Sequence, residues 1–218
     1  MVPILGYWDL RGFVDPIRML LAQAGVDYEF KAYKIGPAPE YSKDEFRSVK
    51  DGLGLDFPNC PYYIDDDVKL SQTVAILRYL GRKHGFNGAS DSEITRCDLA
   101  EQATAELKLF LFSAWRTHDD EAKKQIAEVV PAKLAQYEKF LGSGPFVLGE
   151  KLSYPDFFNY SIFDYIRLYD ASLIENHTAI KNFLAKFEAL PNIDTYIKSD
   201  KFSRMPVTGP MYGWGGSA

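Results

Sequence analysis

The residues best placed to do chemistry lie between Phe57 and Leu77, in the stretch FPNCPYYIDDDVKLSQTVAIL. Pro58 and Pro61 fix φ and push their neighbours toward extended geometry. Pro61 stands directly before the short apolar run Tyr62-Tyr63-Ile64, which makes it a candidate cis-proline in a tight turn. Such a turn leaves the backbone N–H and C=O of Cys60 facing outward, as strand-like hooks for a peptide-shaped ligand. Further on, Ser71 reads as a helix N-cap, with Ala75, Ile76, Tyr79 and Leu80 as the apolar face of the helix it opens. The first N–H groups of that helix have no internal partner and carry positive partial charge. They form a seat for a carboxylate or phosphate, with the side chains of Gln72 and Thr73 beside it. By itself this is an ordinary hairpin and helix; it becomes a site only with a partner elsewhere in the chain.

Other chemistries are excluded by what the sequence lacks. It has no G-x-G-x-x-G, no Walker loop, no G-x-S-x-G and no His pair at metal spacing. His84, His118 and His177 are isolated and suit surface or cap roles. Asp65-Asp66-Asp67 has no ligand-spaced loop after it and reads as a solvated turn, not a calcium site. Cys60 and Cys97 are too few and too unpatterned for a disulfide framework or a zinc site. Asn159-Tyr160-Ser161 and Asn176-His177-Thr178 match the glycosylation pattern by chance.

The 218 residues permit one large domain or two small ones. A composition 46% hydrophobic and 25% charged suits an ordered soluble protein, and a net charge of −5 argues against a nucleic-acid partner. The opening MVPILGYWDLRG has no basic region and meets charge at Asp9, unlike a signal peptide. No apolar run approaches the ~20 residues that a membrane span needs, so a cytoplasmic protein without a membrane partner is expected.

The elements that must position these residues follow in order. Pro3 to Trp8 is a strand. Pro16 to Ala24 is a helix stopped by Gly25, and Tyr28 to Tyr33 alternates as a second strand. Gly36 to Tyr41 is a proline-bearing loop, and Ser42-Lys43-Asp44-Glu45 reads as a capping box opening a short helix through Lys50. The runs Tyr62–Ile64 and Val68–Leu70 make a hairpin around the acidic turn, followed by the helix that ends at Lys83-His84-Gly85. The order βαβ-α-ββα demands a right-handed parallel crossover closed by antiparallel strands. After Gly88 the pattern is helix only, which divides the chain into residues 1–84 and an all-helical domain over 90–218. There Ile94 to Trp115 forms one long helix, and Ile126 to Leu141 a second that Pro131 should bend. Ser153-Tyr154-Pro155-Asp156 is a capping-box start to a helix apolar almost all round, which makes it the core of its domain. Helices over Ile180–Leu190 and Ile193–Lys198 follow, and the Gly/Pro-rich tail from Pro206 to Ala218 should lie over the surface.

A thioredoxin-like domain of this order places its reactive group just after the first strand, where a redox member carries Cys-x-x-Cys. This chain has Tyr7-Trp8-Asp9-Leu10. A tyrosine hydroxyl can hold and polarise a thiol, but the thiol must then arrive with the ligand. Nearly end to end, the chain resembles the cytosolic glutathione transferases of the mu class. The resemblance is carried by Ile4 to Gly12, Gly54 to Asn59, Gln72 to Leu77, Arg82-Lys83-His84 and the loop Gly36 to Tyr41.

The resemblance implies conjugation of glutathione, a co-substrate and not a prosthetic group, to small hydrophobic electrophiles, without a metal. Tyr7 would be the catalytic residue, its O–H favouring the glutathione thiolate. Trp8, Lys50 and Asn59 match the positions at the glycyl end, where Lys43 stands in place of the usual Arg. The backbone of Cys60 before Pro61 would pair with the cysteinyl segment. Gln72 and Thr73 match the γ-glutamyl seat, Thr standing for the usual Ser. Glu106 falls where an aspartate reaches the γ-glutamyl amine across a homodimer, and Phe57 matches the key residue inserted into the partner. Leu10, Phe13, Leu109, Phe112 and Arg116 would line the electrophile pocket. Besides Lys43, two positions depart more seriously from the family: Phe46 replaces a tryptophan that donates to the glycyl carboxylate, and Arg116 replaces a tyrosine that assists some reactions. These departures leave open a non-catalytic carrier of hydrophobic ligands on the same fold; the uninterrupted length and the intact Tyr7, Pro61 and Gln72 speak against a structural protein. The reactivity of Cys60 also stays open.

Overall fold

The computed structural model describes residues 1–216. The chain runs β1 (Ile4–Trp8), α1 (Asp15–Gln23), β2 (Glu29–Tyr33), α2 (Asp44–Arg47), a 3₁₀ turn (Lys50–Leu53), β3 (Tyr62–Ile64), β4 (Lys69–Ser71) and α3 (Thr73–Lys83). Then come α4 (Asp91–Thr117), α5 (Asp120–Leu141), α6 (Tyr154–Tyr169), α7 (Ser172–Glu175), α8 (Thr178–Glu188) and α9 (Pro191–Ile197). The sheet order is β2-β1-β3-β4, with β1 parallel to β2 and antiparallel to β3. The thioredoxin-like topology and the helical second half are those that the hydrophobic periodicities predict.

Local chemistry explains the element ends. Gly25 takes φ +66°, and the N–H groups of Gly25 and Val26 donate to Ala22 and Leu21, closing α1 in the left-handed way that glycine permits. Ser90 caps α4 through the Glu93 N–H at 3.2 Å, and Asp119 caps α5 through Ala122 at 2.8 Å. His84 and His118 sit at helix C-caps and His177 at an N-cap, as isolated histidines should. Helix α5 continues through Pro131. The capping box of α6 is complete, and Asp156 also accepts the Val147 N–H at 2.8 Å. Every residue from Tyr154 to Ile166 is buried, so α6 is the core that the other helices pack around.

Several local expectations are corrected. Ser71 belongs to β4 and donates to the Phe57 carbonyl at 2.6 Å; the N-cap position falls to Gln72. Ala75 is exposed and does not join the apolar face of α3. The sequence Ser42 to Glu45 makes no capping box: Glu45 reaches out to the Lys34 N–H, and α2 stops at Arg47. Asp65 is 8% exposed, not a solvated turn residue, and accepts from Tyr79, Lys83 and two backbone N–H groups. Helix α7 was not foreseen. The tail is more than a surface cover. Pro206 and Val207 accept the N–H groups of Arg11 and Gly12, and Val207 and Thr208 are buried. The part of the tail expectation on 217–218 falls outside the described residues.

The two halves are joined through the loop after β1. Buried Arg11 pairs with Asp15 at 2.8 Å and with Asp164 of α6 at 2.7 Å, its guanidinium 4.8 Å from the Tyr165 ring. Tyr165 in turn donates to the Gly12 carbonyl at 2.9 Å. The loop that follows Tyr7 is therefore held from both domains at once.

Candidate active site

A cavity of about 460 Å³ opens where the end of β1, the loop before β3, the N-terminus of α3, helix α4 and the tail converge. Tyr7 stands at its floor, 5% exposed, at the point where a redox relative of the fold would carry cysteine. The Phe13 N–H donates to the Tyr7 hydroxyl oxygen at 3.0 Å. That bond occupies a lone pair and leaves the phenolic proton to point elsewhere. Burial pushes the Tyr7 phenol well above its usual range, outweighing the Phe13 bond, so Tyr7 is protonated and acts as a donor. Gly12 makes this geometry possible: its φ is +40°, and a Cβ there would lie 2.6 Å from the Tyr7 oxygen.

The polar wall gathers most of the residues expected at a glutathione seat. Trp8, Lys43, Asn59, Cys60, Pro61, Gln72 and Thr73 all line the cavity. The Cys60–Pro61 bond is cis, as its place before β3 suggests. The Cys60 N–H is not left open as a hook, however, because Asn59 Oδ1 accepts it at 2.9 Å. Burial pushes the Cys60 thiol up to about 12. Gln72 holds φ +74° at the head of α3, a positive-φ conformation that costs a non-glycine residue about 1–3 kcal/mol and tends to mark functional sites. Thr73 Oγ1 donates to the Phe13 carbonyl at 3.0 Å.

The apolar wall is formed by Leu10, Phe13 and Phe112, with Leu109 at the rim, 64% exposed. Phe13 and Phe112 lie ring to ring at 4.7 Å. Arg116 is exposed at the end of α4 and does not line the cavity. Neither does Lys50, beside Asp51 at 3.8 Å, nor Glu106, paired with Lys133 at 3.0 Å. Phe46 is buried among Trp8, Tyr33 and Tyr62, with ring centroids 5.8, 5.3 and 6.4 Å away, so its position has become part of the core. Phe57 projects into solvent, 75% exposed.

Sequence reasoning missed several lining residues. Thr208, Gly209, Met211 and Tyr212 come from the tail, whose aromatic residues among glycines were the available signal. Ile35, Val74 and Lys108 are further omissions, Lys108 being a lysine whose i+4 neighbour Phe112 lies on the buried face of α4. Among the described residues no cluster of three or more His, Cys, Asp or Glu is placed to hold a metal, and no helix is long and apolar enough to cross a membrane.

Comparison with known proteins agrees with this geometry. Residues 3–82 match the family described as "Glutathione S-transferase, N-terminal domain", and residues 107–200 match "Glutathione S-transferase, C-terminal domain". The chain is 39% identical over 213 residues to Glutathione S-transferase Mu 3 of Homo sapiens, covering 97% of this chain and 95% of that protein. It is 41% identical over 213 residues to Glutathione S-transferase Mu 1 of Oryctolagus cuniculus, covering 97% and 98%. A Dermatophagoides pteronyssinus glutathione S-transferase is 40% identical over 200 residues, 91% of each chain. Among solved structures, the glutathione S-transferase Blo t 8 superposes with a TM-score of 0.89 at 29% identity, covering 97% of this chain and 99% of its own. The protein belongs to the glutathione S-transferase family. Within it, the sequence sides with the mu class.

Proposed function

We propose that this protein conjugates the thiol of reduced glutathione to small hydrophobic electrophiles, with Tyr7 as the thiolate-stabilising donor. The observation that carries the role of Tyr7 is the Phe13 N–H on its oxygen, which turns the remaining phenolic proton into the donor. A free thiol near ~8.5 is mostly protonated at neutral pH. A hydrogen bond to the thiolate in a dry pocket lowers that value by about one or two units, at about 1.4 kcal/mol each.

The rest of the seat follows the tripeptide. Its γ-glutamyl carboxylate takes the unpaired N–H groups at the head of α3, beside Gln72 and Thr73. The cysteinyl segment lies against the Cys60 backbone, which requires Asn59 to release the Cys60 N–H or the ligand to use the carbonyl alone. The glycyl end meets Trp8, Lys43 and Asn59, with Lys50 further out. The electrophile enters over Leu10, Phe13 and Phe112, past Leu109, with Arg116 at the outer edge.

The protein acts as a cytoplasmic homodimer in this reading. Exposed Phe57 is the key, and a groove of about 240 Å³ lined by Leu99, Ala100, Ala103, Lys133, Gln136, Tyr137 and Phe140 is its lock on the partner. Glu106 is paired with Lys133, a lining residue of that groove, consistent with a role across the interface. Retention on immobilised glutathione, followed by turnover of a general aromatic halide, tests the reading. Retention without turnover would make the protein a carrier.

A further inference from the structure

The cavity carries a charge that the glutathione seat does not account for. Among the described residues that line it there is no Asp or Glu, although the chain as a whole has a net charge of −5. Two lysines line it instead. Lys43 stands at the polar wall, its Nζ 5.9 Å from the Trp8 ring. Lys108 stands on the apolar side, with Nζ 4.2 Å from the Phe13 ring centroid and 5.4 Å from that of Phe158. Lys108 has no carboxylate partner among the described residues, and burial alone pulls its ammonium down to about 8. Cations drawn out of water are usually paired; this one, partly buried, rests on two aromatic faces and opens to the space where the electrophile sits.

We propose that Lys108 is the specificity determinant of the electrophile side, seating a carboxylate carried by the electrophile. This rests on the conjugation reading above. Phe13 links the two functions: its ring supports the Lys108 ammonium while its backbone N–H holds Tyr7. An aromatic halide with a carboxylate on its ring places that anion at Lys108 while the ring lies over Phe13 and Phe112. The reacting carbon then faces the glutathione sulfur. In the step itself the thiolate forms the carbon–sulfur bond, chloride leaves with its electron pair, and the thiol proton goes to solvent. The carboxylate is recognised and does not react.

The test compares 4-chloro-3-nitrobenzoate with the neutral 4-chloro-3-nitrobenzamide, each kcat/KM divided by the uncatalysed rate of the same compound. The wild type should favour the benzoate. Lys108→Met should lower the benzoate-to-amide ratio about tenfold or more, the scale of a lost charge-assisted hydrogen bond. Lys108→Arg should keep the ratio within about threefold of wild type. A ratio within a measurement reports specificity whatever the variant does to stability. A wild type that turns over the amide without preferring the benzoate overturns the assignment while conjugation stands, as does a ratio that Lys108→Met leaves unchanged. Turnover of neither compound overturns the conjugation reading itself, and this proposal with it.

Discussion

Tyr7 and Thr73 are tied together through the backbone of one residue: Phe13 donates its N–H to the Tyr7 oxygen and accepts the Thr73 hydroxyl on its carbonyl, both at 3.0 Å. The proposed donor to sulfur and the proposed γ-glutamyl seat therefore move as a unit. Thr73→Val deletes the hydroxyl and leaves a partly buried carbonyl short of a partner, at about 1–3 kcal/mol. The variant should raise the KM for glutathione and also lower kcat several-fold, whereas Thr73→Ser should stay within about twofold of wild type. A valine variant with wild-type kcat would show that the tether does not position Tyr7.

Cys60 should be inert despite lining the cavity. Its thiol lies at about 12, so at pH 8 roughly one in ten thousand is ionised. Cys97 is buried and likewise pushed up. An aromatic disulfide reagent should titrate neither cysteine in the native protein within minutes and both in denaturant. Rapid labelling of Cys60 in the native state would contradict this.

Asp65 should govern part of the acid stability. Burial alone would raise its carboxyl, but Lys83, Tyr79 and the N–H groups of Asp67 and Val68 outweigh burial and hold it at about 2. Because the folded value lies below the unfolded one, the stabilisation is complete above about pH 4 and is lost as pH falls toward 2. Asp65→Asn should cost roughly 2 kcal/mol at pH 7 in urea denaturation, the order set by a shift of between one and two units. The gap between wild type and variant should close as pH falls from about 4 to about 2. A gap independent of pH would assign the effect to packing instead.

Phe57→Ala should weaken the proposed dimer. A buried aromatic anchor contributes about 2 kcal/mol or more, and a twofold interface contains it twice, so the dissociation constant should rise roughly a thousandfold. Sedimentation at micromolar concentration reads this directly. A variant as dimeric as wild type would remove Phe57 from the interface.

The fold was legible because its signals are local. Period-two strands, the Gly25 stop and the Ser153–Asp156 capping box each depend on neighbours in sequence. The cis bond before β3 and the places of Cys60, Gln72 and Thr73 on the cavity wall followed from the same kind of signal, whereas Tyr7 came from the order of the elements and Asn59 from the family resemblance alone. What failed depended on distant partners. Ser71 looks like an N-cap until the Phe57 carbonyl takes its hydroxyl, and Glu45 looks like a capping-box acid until the Lys34 N–H takes its carboxylate. The tail reads as a surface strap because nothing within it shows that Arg11 and Gly12 will bind its carbonyls. Lys108 was invisible for a related reason: a lysine on an amphipathic helix reads as solvated, and only packing reveals Phe13 and Phe158 beneath it.

The most direct measurement is the pH profile of glutathione conjugation to a general aromatic halide, wild type beside Tyr7→Phe, with glutathione binding measured in parallel. Tyr7 stays protonated far above neutral pH, so the wild-type kcat/KM should rise through a thiol value lowered by one or two units from ~8.5 and then stay level. Tyr7→Phe should still bind glutathione, lose about ten- to a hundredfold in rate at neutral pH, and show its thiol titrating near ~8.5. A variant with unchanged turnover and an unchanged thiol titration would contradict the assignment of Tyr7 as the thiolate's donor.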